Sequence, residues 1–184
     1  MALSAKASEY AEDLVKSQDI LSRAPSERAD WIYTHMRRNF SFGIKEAVMS
    51  GTRFRYPHEI ESQLTCGEAG VYVYMLAKVA GLKPRLFRVE NYDGMPADHL
   101  SPDVEIEGRR QALDPLMRKK GPIRYGLGKI FVQHLGLKPD GDILLVKRRK
   151  VPVTYSSLEL MDEDDIGDFM RHINSDDGIV DYLN

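Results

Sequence analysis

One cysteine in 184 residues excludes an intramolecular disulfide and any scaffold stapled by one. A reduced compartment is the simpler expectation. No apolar run is long enough to span a membrane. Met1 to Asp19 alternates apolar residues with Glu, Asp and Lys where a signal peptide would be continuously apolar. The expectation is a cytoplasmic protein with no membrane partner. An excess of either charge is also missing. The 26 Lys and Arg nearly balance the 28 Asp and Glu, so nothing draws the whole chain toward nucleic acid or an anionic surface. Internal repeats and low-complexity tracts are absent. Gly126-Leu127-Gly128 is not expected to cradle phosphate, since it lacks a preceding strand and the lysine of such loops. Cys66, His99, Asp114 and His58 form a zinc set on paper only, because no short C-x-x-C or H-x-x-x-H pair anchors it. His35, His134 and His172 add no metal spacing. No cofactor and no metal are expected, and the oligomeric state is not legible.

Hydrophobic residues make up 42% of the chain, enough for a real core. The length suits one domain over 1–184: a helical extension (1–27), a core (28–115) and a part completing or covering that core (116–184). Residues 4–22 read as a helix with Ala7, Tyr10, Leu14 and Leu21 near one face. Pro25 and Ser26 mark a break and a new start. Ala29, Ile32, Tyr33, Met36 and Phe40 then follow at helical spacing. Residues 43–65 read as loop with short helix.

From Cys66 to Ala80 the chain is apolar nearly all round, as in a helix at the centre of a domain. Gly81 stops it. Arg85 to Val89 reads as a strand. His99 to Ile106 and Arg110 to Leu113 flank Glu107-Gly108, a hairpin turn. Pro102 suggests an edge or a bulge there. Ile123, Leu127, Ile130, Phe131, His134 and Leu135 read as a helical stripe closed by Gly136. Asp142 to Val146 and Val151 to Tyr155 read as strands joined through a solvated turn at Lys147-Arg148-Arg149-Lys150. Ser156-Ser157-Leu158-Glu159 fits a capping box, the acidic run Asp162 to Asp165 a solvated helix start, and Ile166 to Ile173 a last helix. Helices first, then strands behind a buried helix, give an α+β fold.

The chemistry centres on Cys66. A helix N-terminus carries about half a positive charge and free N–H groups, which stabilise a thiolate and a developing oxyanion. A lone cysteine is otherwise a small core residue. A thiol nucleophile also needs a histidine base and a group to orient it. If Glu107-Gly108 turns a hairpin, His99 and Asp114 come to its matching ends, within reach across strands about 4.8 Å apart. Gln63 is a candidate second oxyanion donor, with Trp31 and Tyr56 behind it. Glu68 suits the helix dipole and is expected to pair with Arg85.

Thr65-Cys66-Gly67-Glu68-Ala69, Leu76-Ala77, Gly81-Leu82-Lys83-Pro84-Arg85, Ala97-Asp98-His99 and Leu113-Asp114-Pro115 together resemble the transglutaminase-like core. The upstream Trp31-Ile32 and Asn39-Phe40 are similar to the helix leading into it. The likeness covers about residues 28–115. It implies Cys66 as nucleophile, His99 as general base and acid, and Asp114 as orienting group, on a transglutaminase-like/papain-like core whose cysteine helix packs on an antiparallel sheet. The family often has an aromatic residue two after the histidine, where this chain has Ser101. The implied activity is cysteine-dependent acyl transfer on a peptide or protein amide through a thioester. Hydrolysis by a peptidase or amidase is favoured over transamidation. The alternatives are a non-catalytic protein- or peptide-binding domain on the same fold, and a nucleic-acid binder using Arg53, Arg55 and Lys147 to Lys150. The balanced charge argues against the last, so nucleic acid is not expected as a partner.

Overall fold

A computed structural model of the chain describes residues 5–42, 55–90, 99–116, 119–126, 129–137, 143–154 and 157–173. Helix α1 (Ala5–Ser17) buries Ala7, Ala11 and Val15. The expected stripe is therefore displaced: Tyr10 and Leu21 are exposed. The physical reason is fit, since three small residues at i, i+4 and i+8 let α1 lie close against the next long apolar helix. The chain turns through Asp19, whose φ is 50°, into a short 3-10 helix at Ile20–Ser22. Helix α2 (Pro25–Asn39) starts with proline, whose missing N–H costs nothing in a first turn. It buries Ala29, Ile32, Tyr33 and Met36, as its spacing requires. Strand β1 (Ser41–Phe42) pairs in parallel with β2 (Gln63–Leu64).

Helix α3 (Cys66–Val79) buries every residue from Gly67 to Ala77 and contacts α1, α2 and three strands of the large sheet. Its end carries a Schellman pair: Leu82 N–H donates to Ala77 O and Gly81 N–H to Lys78 O, with Gly81 at φ 70°. Seven strands follow in one antiparallel sheet: β3 (Lys83–Glu90), β4 (His99–Ile106), β5 (Arg109–Asp114), β6 (Lys119–Gly126), β7 (Lys129–Leu137), β8 (Ile143–Thr154) and β9 (Ser157–Met161). Their order is β8-β7-β6-β5-β4-β3-β9. Helix α4 (Glu163–Ile173) closes the described chain against β9. The protein is thus α+β, with helices packed on an antiparallel sheet. Among the described residues no helix is long and apolar enough to cross a membrane.

The β4–β5 hairpin forms where expected. Ile106 pairs with Arg109, and Glu107 and Gly108 both have positive φ, the pattern of a type I′ turn. Pro102 sits in a central strand rather than at an edge. It pairs with Leu86 on one side, while the ladder to β5 ends at Asp103 and Ala112, so the missing N–H falls beyond that ladder.

The C-terminal part departs furthest from its expectation. The helix expected over Ile123 to Leu135 is two strands, β6 and β7, with Ile123 opposite Val132 and Tyr125 opposite Ile130. Gly136 lies within β7. β-branched and aromatic residues also suit a pleated surface, and pairing with β5 and β8 decides between the periods. A strand therefore does precede Gly126, but it leads into another strand and supplies no helix N-terminus for phosphate. The two strands expected over Asp142 to Tyr155 are one, β8. Lys147 pairs with His134 and Lys150 with Gln133, so Arg148 and Arg149 are the extra residues of a bulge on this edge strand, not a turn. Of the capping box expected at Ser156 to Glu159, Ser156 lies outside the described residues and Ser157 to Glu159 belong to β9. The cap lies at Asp162, where Asp162 N–H donates to Asp165 Oδ2 and Asp165 N–H to Asp162 Oδ1.

Candidate active site

Cys66 is the first residue of α3 and is partly exposed. Thr65 caps the helix. Its hydroxyl accepts from Glu68 N–H at 3.3 Å, while its own N–H donates to Glu68 Oε2 at 2.9 Å. The sequence Thr65-x-x-Glu68 is itself a capping-box signature. The box fixes the backbone on both sides of Cys66.

Glu68 does not pair with Arg85, contrary to expectation. Its buried carboxylate takes Arg55 Nε at 2.9 Å and Nη2 at 3.1 Å. Arg85 instead forms a two-pronged pair with buried Asp103, at 3.1 and 2.7 Å, across the β3–β4 ladder. Register explains the exchange. Arg85 and Asp103 are direct cross-strand partners, so the shorter reach wins. Arg55 is thereby engaged in an ion pair beside the helix start. Arg53, also part of the expected basic patch, lies outside the described residues.

His99 opens β4 and Asp114 ends β5. Both are buried, at 1% exposure each, and His99 Nε2 meets Asp114 Oδ2 at 2.7 Å. Carried on past its last pair, the β4–β5 ladder sets Asp114 across from Ser101 and diagonal to His99 on the same face. Arg37 on α2 donates from Nη1 to the carbonyl of Pro115 at 3.1 Å, pinning the residue after the carboxylate. The ring of His99 is also close enough to Cys66 for the thiol to favour its charged form. Nε2 is committed to Asp114, and Nδ1 is buried. Burial lowers the His99 pKa, but the Asp114 charge and hydrogen bond, with a smaller contribution from Cys66, outweigh it and raise the value to about 9. At neutral pH the ring is therefore an imidazolium held between two groups that favour its charge.

Gln63 opens β2, three residues before Cys66. Its carbonyl accepts from Arg55 Nη2 at 2.6 Å, while its side-chain Oε1 is buried with no hydrogen-bond partner. The other two oxyanion candidates have their own packing. Trp31 stacks on His35 with ring centroids 5.0 Å apart, and Tyr56 stacks on exposed His58 at 6.2 Å. Burial holds the pKa of His35 below its ordinary value. Among the described residues no group of three or more His, Cys, Asp or Glu is arranged to hold a metal ion.

The structure thus brings Cys66, His99 and Asp114 together, with Gln63 on β2 three residues before Cys66. Sequence reasoning missed Arg55, which lies 13 residues from its partner in no periodic relation to it. Compared with models of known families, with curated proteins and with solved structures, the chain matches none.

Proposed function

We propose that this chain is a cysteine-dependent acyl-transfer enzyme with a transglutaminase-like core, acting on a peptide or protein amide. The observation that carries the reading is the His99 ring, set between the Asp114 carboxylate and the Cys66 thiol at the N-terminus of a buried helix. In the first half-reaction the Cys66 thiolate attacks the amide carbonyl carbon, forming a C–S bond and an oxyanion. The positive end of the α3 helix, with its first-turn backbone N–H groups, stabilises that charge. The side-chain NH2 of Gln63, three residues before Cys66, is the candidate second donor. Collapse breaks the C–N bond, and the His99 imidazolium gives its proton to the leaving amine. A thioester remains on Cys66. Neutral His99 then takes a proton from water as the oxygen attacks, and the acid is released with the thiol restored. An amine in place of water makes the same reaction a transamidation. Hydrolysis is the favoured outcome.

The test uses iodoacetamide and a panel of glutamine-, asparagine- and peptide-like electrophiles, with Cys66→Ala as control. Wild type should be alkylated rapidly near pH 6, and His99→Ala about tenfold or more slowly, as expected when a general base and charge partner is lost. Equal, slow labelling of both proteins would mean an ordinary thiol and a binding domain without catalysis.

A further inference from the structure

The carboxylate of Glu68 is 3% exposed, yet its residue lies only two positions along the helix from the nucleophile. Left alone, a buried negative charge there would oppose formation of a thiolate on Cys66. It is not left alone. Glu68 Oε1 accepts from the Arg55 backbone N–H at 3.0 Å and from Arg55 Nε at 2.9 Å, and Oε2 accepts from Arg55 Nη2 at 3.1 Å. The same Nη2 reaches past the carboxylate to the Gln63 carbonyl at 2.6 Å. Glu68 in turn holds the Thr65 N–H at 2.9 Å. The backbone from Gln63 to Glu68 is therefore tied at both ends to one guanidinium. That stretch carries Cys66 and the candidate oxyanion amide.

We infer that Arg55 is a positioning residue for the acyl-transfer site, acting through Glu68 and Gln63 to neutralise the carboxylate two residues from Cys66 and to fix the turn that presents its sulfur. The inference rests on the reading of Cys66 as a nucleophile. Among the described residues, the charged groups around that turn include Glu68 on the helix itself, Arg55 across it, Glu59 and Glu61 just before β2, and the His99–Asp114 pair on β4 and β5. Arginine suits the place because its planar fork meets both carboxylate oxygens and keeps a donor for the carbonyl. A lysine would supply the charge without the fork.

Two effects of opposite sign separate this role from plain structural support. Arg55→Gln leaves a buried, unneutralised carboxylate two residues from the thiol, in the same first turn of the helix. Its alkylation by iodoacetamide at pH 6 should slow by about tenfold, with the acid limb of the rate profile moved to higher pH. Glu68→Gln leaves the guanidinium uncompensated, so its acid limb should move to lower pH. The double variant Arg55→Gln, Glu68→Gln should return toward wild type. Arg55→Lys should keep the wild-type limb but label more slowly at every pH, because charge is restored without the second tie to Gln63.

Thermal melts of each full-length variant accompany the labelling. Acid limbs unmoved in both single variants, or moved in the same direction, would overturn the inference. If Arg55→Gln does not fold, Glu68→Gln and Arg55→Lys decide alone. A limb that moves down in the first and stays in place in the second supports the inference, and any other pair of results overturns it. His99→Ala in the same series keeps the two readings apart. If it labels like wild type, the nucleophile reading itself is lost. If it labels slowly while the Arg55 and Glu68 variants behave like wild type, only the role of Arg55 is lost.

Discussion

His99 links the chemistry of the site to the stability of the fold. Its ordinary value of 6.5 is raised to about 9 in the folded chain, where burial is outweighed by Asp114 and Cys66. A raised value means that the folded state holds the proton more tightly than the unfolded one. The stabilisation is fully present below pH 6.5 and is lost as pH rises through about 9. Its size is on the order of 3 kcal/mol, from about 1.4 kcal/mol per pH unit over that interval. Lys120 works in the opposite direction, because burial lowers it from 10.5 to about 8. Urea midpoints should therefore be compared with the double variant His99→Gln, Asp114→Asn, which keeps a neutral pair at the site and leaves Lys120 unchanged. Between pH 6 and 9.5 wild type should lose more stability than the variant, and parallel curves would exclude the charged pair. On the proposed acyl-transfer reading, turnover of an amide substrate should fall over the same alkaline window, as the proton donor for the leaving amine is lost.

At the scale of elements, the site depends on how closely α3 approaches β4. Gly70 sets that distance. A Cβ placed there would lie 2.7 Å from Leu100 Cβ and 3.1 Å from Leu100 O, closer than real side chains come. Leu100 follows His99 on β4, and Gly70 lies one turn past Cys66 on α3, so the close contact also sets the spacing of sulfur and ring. Gly70→Ala gains roughly 1 kcal/mol of helix propensity, but overpacking costs about 1–3 kcal/mol. The variant should melt lower than wild type and label more slowly at Cys66. A higher melting temperature with unchanged labelling would mean that the two elements can part without consequence. Thr65→Ala removes the cap and should cost about 1 kcal/mol in chemical denaturation.

Across the whole molecule, Arg28 on α2 joins three parts of the helical layer. Nη1 donates to the Ala80 carbonyl at the end of α3 (2.9 Å), Nη2 to the Leu21 carbonyl (2.7 Å) and Nε to the Arg23 carbonyl (2.7 Å). Arg28→Ala strips three acceptors at once and should destabilise the chain by about 2 kcal/mol in urea, given partial exposure of the bonds. Arg28→Lys should recover only part of that, since one ammonium cannot span three separated carbonyls. Full recovery by lysine would show that the charge alone matters. A second tie runs from Lys78 on α3 to Glu163 at the start of α4, and a third from Lys120 on β6 to Asp30 on α2. Both lie on the route by which the C-terminal strands and last helix are held to the layer that carries Cys66.

The sequence by itself determined what near neighbours decide. The unbroken apolar run of α3, its stop at Gly81, the turn at Glu107-Gly108 and the order of Cys66, His99 and Asp114 are all local features. Helical period, turn dihedrals and capping chemistry act over a few residues, so they are legible in a string. Only the tertiary structure decided what depends on segments meeting. The spacing from Ile123 to Leu135 suits a helix and a strand alike, and β5 and β8 alongside made it strand. Glu68 had Arg55 and Arg85 to choose between, and the β3–β4 register gave Arg85 to Asp103. The closeness of Gly70 to Leu100, and the His99 ring set between carboxylate and sulfur, likewise exist only once helix and sheet are packed. Partner choice is a matter of distance in space, and the order of residues along the chain does not carry it.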